Sequence, residues 1–154
     1  MKKLFLAVAV LFIGVGLSAQ TLDDYMEVQR GVLQTEKKAV VAEAMAFTDA
    51  ESTVFWPLYN EYNEKIYNSN TKLYKLIKDY ADNFGTTMTD EKAVEIWTNV
   101  MKVEAELAKL KKSYFKKFQG ILGGKKAVRY MQLENKIKAL VEAELAVEIP
   151  LMEE

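Results

Sequence analysis

From Phe55 the apolar and aromatic positions fall at 55, 58, 59, 62, 66, 73, 76, 77, 80 and 84, with Ser69 in the one wide gap. Steps of three and four keep one side of an α-helix apolar, so a long amphipathic helix is expected from Asp49 to Phe84. Thr48 with Glu51 three positions on reads as a capping box at its start, and Gly85 ends it. Pro57, in its third turn, deletes the backbone bond to Thr53 and is expected to kink it. Phe47 stands ready as the outer partner of a hydrophobic staple.

The same period marks three further helices. Apolar residues at 22, 25, 26, 28, 32, 33, 39, 40, 42 and 44 make a first helix from Leu22 to about Met45, with Gly31 as a soft point. Thr89, Asp90 and Glu91 open a third helix, whose apolar positions at 96, 100, 103, 107, 110 and 114 form a heptad seam for helix packing. Gly120, Gly123 and Gly124 are expected to break it. A fourth helix runs from Lys125 to Val147, with Tyr130, Leu133, Ile137, Leu140, Val141 and Leu145 on one face, and Pro150 stops it. No strand pattern occurs. The expected architecture is all-α: elongated antiparallel helical hairpins of about four helices, two of them long. An internal echo supports pairing of the halves: setting Phe47 over Leu122 places Phe55 over Tyr130 and Leu58 over Leu133.

The N-terminus is of another kind. Lys2-Lys3, an apolar run from Leu4 to Leu17 and Ser18-Ala19 have the form of a secretory signal peptide, residues 1–19, cleaved after Ala19. The run is short for a membrane span and broken by Gly14 and Gly16. The expected mature chain, 20–154, is one domain in a Gram-negative periplasm. Without Lys2 and Lys3 it carries 19 basic and 22 acidic residues, a net charge of −3. Between Glu106 and Glu134 stand Lys109, Lys111, Lys112, Lys116, Lys117, Lys125, Lys126 and Arg129 with no acid among them, whereas Glu142, Glu144, Glu148, Glu153 and Glu154 load the C-terminal end.

Cysteine and histidine are both absent from the sequence. An exported chain then has no disulfide framework and lacks the usual ligands for Zn, Ni, Cu or Fe, which disfavours a metal sensor. No phosphate loop or nucleophile motif is present, so neither catalysis nor a bound cofactor is expected. Most of the aromatic stripe reads as core. Trp56, Tyr67 and Tyr74 fall off the main seam and are candidates for an exposed contact surface. The run Lys111, Lys112, Phe115, Lys116 and Lys117 is either a solvated face or an electrostatic surface for acidic proteins or membrane headgroups. Nucleic acid is not an expected partner of an exported chain, nor is a small-molecule substrate.

Three helix starts carry a resemblance: Phe47-Thr48-x-x-Glu51 leading into Phe55-Trp56-Pro57-Leu58-Tyr59-x-x-Tyr62, then Met88-Thr89-Asp90-Glu91-Lys92, then Lys126-Ala127-Val128-Arg129-Tyr130-x-Gln132-Leu133-Glu134-Asn135-Lys136. In these the mature chain resembles the Spy/CpxP-type periplasmic proteins, the LTxxQ family, and within it secreted members from the Bacteroidetes. Glu51 stands where the first family motif has Gln, and Gly123-Gly124 replaces the Thr or Pro that opens the second. The resemblance implies a non-catalytic, chaperone-like or stress-response adaptor that pairs with itself as an antiparallel, cradle-shaped dimer. It would bind unfolded or envelope proteins or, in the alternative, one membrane regulator of an envelope-stress or extracytoplasmic sigma-factor system.

Overall fold

A computed structural model describes residues 33–152 apart from 86. The expected leader and the expected first helical turns from Leu22 lie outside the described residues. Helical residues 33–45, α1 here, are followed by α2 (Asp49–Asn83), α3 (Asp90–Leu122) and α4 (Gly124–Glu148), and no strand occurs among the described residues. The chain divides into two compact units within α1: Met1–Ala39, of which only residues 33–39 are described, and Val40–Glu154, which holds everything that follows.

The α2 start is chemical. Thr48 Oγ1 accepts from the Glu51 amide at 3.3 Å while the Glu51 carboxylate accepts from the Thr48 amide at 2.9 Å, which satisfies donors at the helix mouth from both sides. Phe47 does not staple to the small Ser52. Its ring lies 4.3 Å from that of Phe55 and 6.2 Å from that of Trp56, so the staple is aromatic and reaches one turn deeper. The helix continues unbroken through the exposed Pro57 for 35 residues, about 52 Å at the standard rise. Its weak helix formers are accommodated by bonding back one turn: Thr53 to Asp49 O, Asn63 to Tyr59 O, Thr71 to Tyr67 O and Asn83 to Asp79 O.

In α3 the N-cap Thr89 accepts from the Lys92 amide, and the helix passes Gly120 to end at Leu122. Gly123, at φ +75°, is at once the C-cap of α3 and the residue before α4, so one residue makes the turn. That φ lies in the left-handed region, where glycine alone is unstrained.

Packing follows the two hairpins. Across α2 and α3, Glu61 meets Lys117, Lys72 meets Glu106 and Asp79 meets Lys92: as one number rises the other falls, the mark of antiparallel neighbours. The heptad seam is spent inside the chain, since Ile96, Val103 and Tyr114 are buried on this line. α4 returns along α3, with Phe118 and Tyr130 rings 4.6 Å apart and Lys111 bonded to Asn135. The main core gathers Val41 and Met45 from α1, Phe55, Tyr59 and Tyr62 from α2, Tyr114 and Phe118 from α3, and Ala127, Tyr130 and Met131 from α4. One pair matched by the internal echo touches: Phe55 and Tyr130 stack edge to face at 5.1 Å.

The expected inner face of α4 needs correction. Tyr130 is buried as expected, but Ala127, Met131 and Glu134 are buried with it, whereas Leu140 and Leu145, expected inside, are exposed.

Candidate interaction surface

The ring cluster is tied from outside by polar contacts. Lys126 Nζ lies 2.5 Å from the Glu51 carboxylate of the α2 capping box, and Arg129 donates twice to the Ala44 carbonyl of α1, at 2.9 and 3.2 Å. The Tyr114 hydroxyl donates to Glu61, which also pairs with Lys117 at 3.1 Å, and the Lys117 ammonium sits 4.3 Å from the Tyr114 ring centre. Hydrogen bonding from Lys126, then from Thr48, holds the Glu51 carboxyl below the usual range. The Tyr114 hydroxyl, then Lys117, do the same for Glu61. Burial and the Glu61 contact push the Tyr114 phenol up to about 12.

Among the described residues Glu134 is the one buried charged side chain, 7% exposed beside Tyr59, Tyr62 and Tyr130. Burial first, then the Glu134 charge, raise all three phenols well above their ordinary value. At neutral pH they keep their protons and serve as ring surface, and the buried Tyr130 hydroxyl and Glu134 Oε1 make no hydrogen bond among the described residues. Sequence reading passed over this carboxylate, although its place one turn after Tyr130 puts it on the inner face.

The candidate contact residues separate into two groups. Trp56 is half-buried, its ring 5.0 Å from Phe55 and 5.2 Å from Tyr59, and Phe115 is likewise packed against the core. Both wall the cluster in. Tyr67 and Tyr74 are half-buried on α2. Lys111 is bonded to Asn135 and Lys117 to Glu61, so they fasten helices together. Lys112 and Lys116 stand exposed, and with Lys109 and Lys125 they make no ion pair among the described residues. Half of the basic run is therefore structural and half faces solvent.

The exposed apolar side chains lie elsewhere than expected. On α4, Val128, Leu140 and Val147 are exposed, and at helical spacing they share an outward strip with the exposed Lys125 and Lys136. On α3, Val94, Trp97 and Met101 are exposed, and Trp97, at 64%, is the aromatic most open to solvent among the large exposed residues. Trp97 lies outside the 96-100-103 seam, a position that could have been read as outward from the period alone. An open trough between α2 and α3 is lined by Lys72, Lys75, Leu76, Asp79, Asn99, Lys102, Val103 and Glu106, where the Lys72 to Glu106 pair already spans the two helices. Among the described residues no cluster of three or more acidic, His or Cys side chains could hold a metal ion, and no helix is long and apolar enough to cross a membrane.

Comparison of the chain with protein-family models, with curated proteins and with solved structures gave no match.

Proposed function

We propose that this chain is an exported, non-catalytic holding protein of the Spy/CpxP kind, which binds unfolded or envelope proteins in the periplasm and acts as a pair of like subunits. The observation that carries the reading is the outward strip of α4, where unpaired lysines alternate with exposed aliphatics: Lys125, Val128, Lys136, Leu140 and Val147. Charge speeds capture of an acidic chain, and shallow apolar contact then holds it without fixing its sequence. The absence of His and Cys and the helical frame agree with this reading.

The test is aggregation of a chemically denatured acidic protein, followed by light scattering with and without this chain. Protection is expected, and added salt should weaken it through slower capture. Changing Lys125 and Lys136, the two lysines of the strip, to Glu should reduce protection while leaving the helical circular dichroism melt unchanged, because neither pairs with another described residue. Full protection by that variant would remove the basic strip from the function. Crosslinking in the native envelope separates general holding, seen as many partners, from a sensor, seen as one membrane regulator.

A further inference from the structure

The end of α1 sits on a surface that other helices complete without it. Within Val40–Met45 only Val41 and Met45 are buried, at 0% and 3% exposure, and they stand one helical turn apart. Both join the ring cluster, where Phe55 of α2, Phe118 of α3 and Tyr130 of α4 already pack against one another at 4.6–5.5 Å. The seat beneath the two aliphatic side chains is therefore built by α2, α3 and α4. A polar tie accompanies them: the Arg129 guanidinium of α4 donates to the Ala44 carbonyl from Nε at 3.2 Å and from Nη2 at 2.9 Å, a cation at the negative end of α1.

The joint that follows is strained. Ala46 has φ 44°, in the left-handed region, while its amide still bonds to Ala42 O at 3.2 Å. Glycine takes such a helix end at no steric cost, whereas the Cβ of alanine works against it. Among the described residues Ala46 is the one non-glycine residue with positive φ. The backbone turn that lays α1 on the cluster thus also weakens its hold.

We propose that the seat of Val41 and Met45 is a binding site for an amphipathic helix of another polypeptide, with α1 as its displaceable plug. The plug defines the ligand: two aliphatic side chains one turn apart, followed by a carbonyl at the helix end for Arg129. Lifting α1 gives up the burial of Val41 and Met45 and the forked bond, and releases the strain at Ala46. The seat persists because its rings are held by one another. A tethered plug competes at an effective concentration of about millimolar, so ligand affinity follows the fraction of chains in which α1 is lifted. The proposal does not depend on the lysines of the α4 strip, so an aggregation assay on the strip and a binding assay at this seat can fail separately.

Amide exchange on the full chain gives the first reading. Residues 42–45 should exchange orders of magnitude faster than Tyr62 and Phe118, with little dependence on low denaturant, because the opening exposes little surface. Ala46→Gly should slow exchange at residues 42–45 about five-fold by relieving the strain, and Ala46→Val, which sets a β-branched side chain at the same φ, should speed it by a similar factor. The second reading is fluorescence anisotropy of a labelled synthetic peptide of residues 36–46. Its affinity should rise several-fold from the parent chain to Ala46→Val and fall several-fold to Ala46→Gly, while the same peptide carrying Val41→Asp and Met45→Asp should not bind. Ala46→Gly removes strain, so the comparison with the parent stands even where the valine variant fails to fold. The proposal is overturned if residues 42–45 exchange only together with Tyr62 and Phe118, if the peptide binds the parent and Ala46→Gly equally well, or if the Asp-substituted peptide binds as tightly as the original.

Discussion

The two ends of the α2–α3 hairpin are built on different principles. Near the α2 start, rings from three helices and from Phe47 lie 4.3–6.5 Å apart, α1 adds Val41 and Met45, and polar ties from Lys126, Arg129, Tyr114 and Lys117 close the periphery. Toward the α2 end the buried apolar residues reduce to Ile96 and Val103, and the ties are ion pairs Lys72 to Glu106 at 2.6 Å and Lys92 to Asp79 at 2.7 Å. There the segment just after α4 meets α2 through a bond from the Tyr80 hydroxyl to Pro150 O at 2.9 Å. The difference shows where rigidity is concentrated. The aromatic end gathers most of the buried apolar residues, and the other end, with fewer of them, is expected to open more readily.

The strongest way to break that contrast is to remove a ring. Phe118 is fully buried and its ring faces those of Phe55, Tyr62, Tyr114 and Tyr130, so Phe118→Ala should destabilise by about 4 kcal/mol in denaturant unfolding. Ile96→Ala, at the sparser end, should cost about 2 kcal/mol, because a thinly covered site loses fewer contacts. Equal losses would show that the two ends are equally packed. Tyr80→Phe removes the bond between α2 and the segment after α4. It should cost about 1 kcal/mol or less, and speed amide exchange in the final turns of α4 without touching Phe55 or Tyr62.

The smallest effect should come from pH, since the groups involved are exposed pairs. Glu51 and Glu61 have lowered folded-state values, so their contribution is complete above the ordinary carboxylate value near 4.5 and is lost as pH falls through the lowered values. Glu91, in the first turn of α3, is lowered too, chiefly by its own backbone and by Thr89. Lys92 has a raised value through Asp79, so its contribution is complete below 10.5 and is lost as pH rises beyond it. Acid should therefore loosen the aromatic end and the α3 start, and alkali the α2–α3 junction. Exchange profiles at the two extremes that coincide would remove this distinction.

Helix starts and the α2–α3 seam were legible in the sequence because both are local: a Thr and a residue three positions on, or apolar residues one turn apart. What was not legible depended on partners far along the chain. Nothing local distinguishes Lys117 and Lys126, which reach 56 and 75 positions back, from Lys116 and Lys125, which face solvent. On α4 the expected inner face holds at Tyr130, but Ala127, Met131 and Glu134 are buried beside it while Leu140 and Leu145 are exposed. Trp56 was assigned to the surface for lying off the seam, yet a ring of that size, placed beside Phe47 and Phe55, is gathered into the cluster's wall.

Gly123 also governs how this chain can vary over time. One residue ends α3 and starts α4, so two torsions steer all of α4, and a residue inserted there would turn it by about 100° and advance it about 1.5 Å. Tyr130 would leave the ring cluster and Glu134 would swing with it. The six residues from Phe84 to Thr89 join α2 to α3 with slack enough to lengthen. Length changes in descendants of this sequence should therefore collect at that connection and be nearly absent at Gly123, and side-chain substitutions at Gly123 should be rare even though a Cβ there would meet no neighbour within 4 Å.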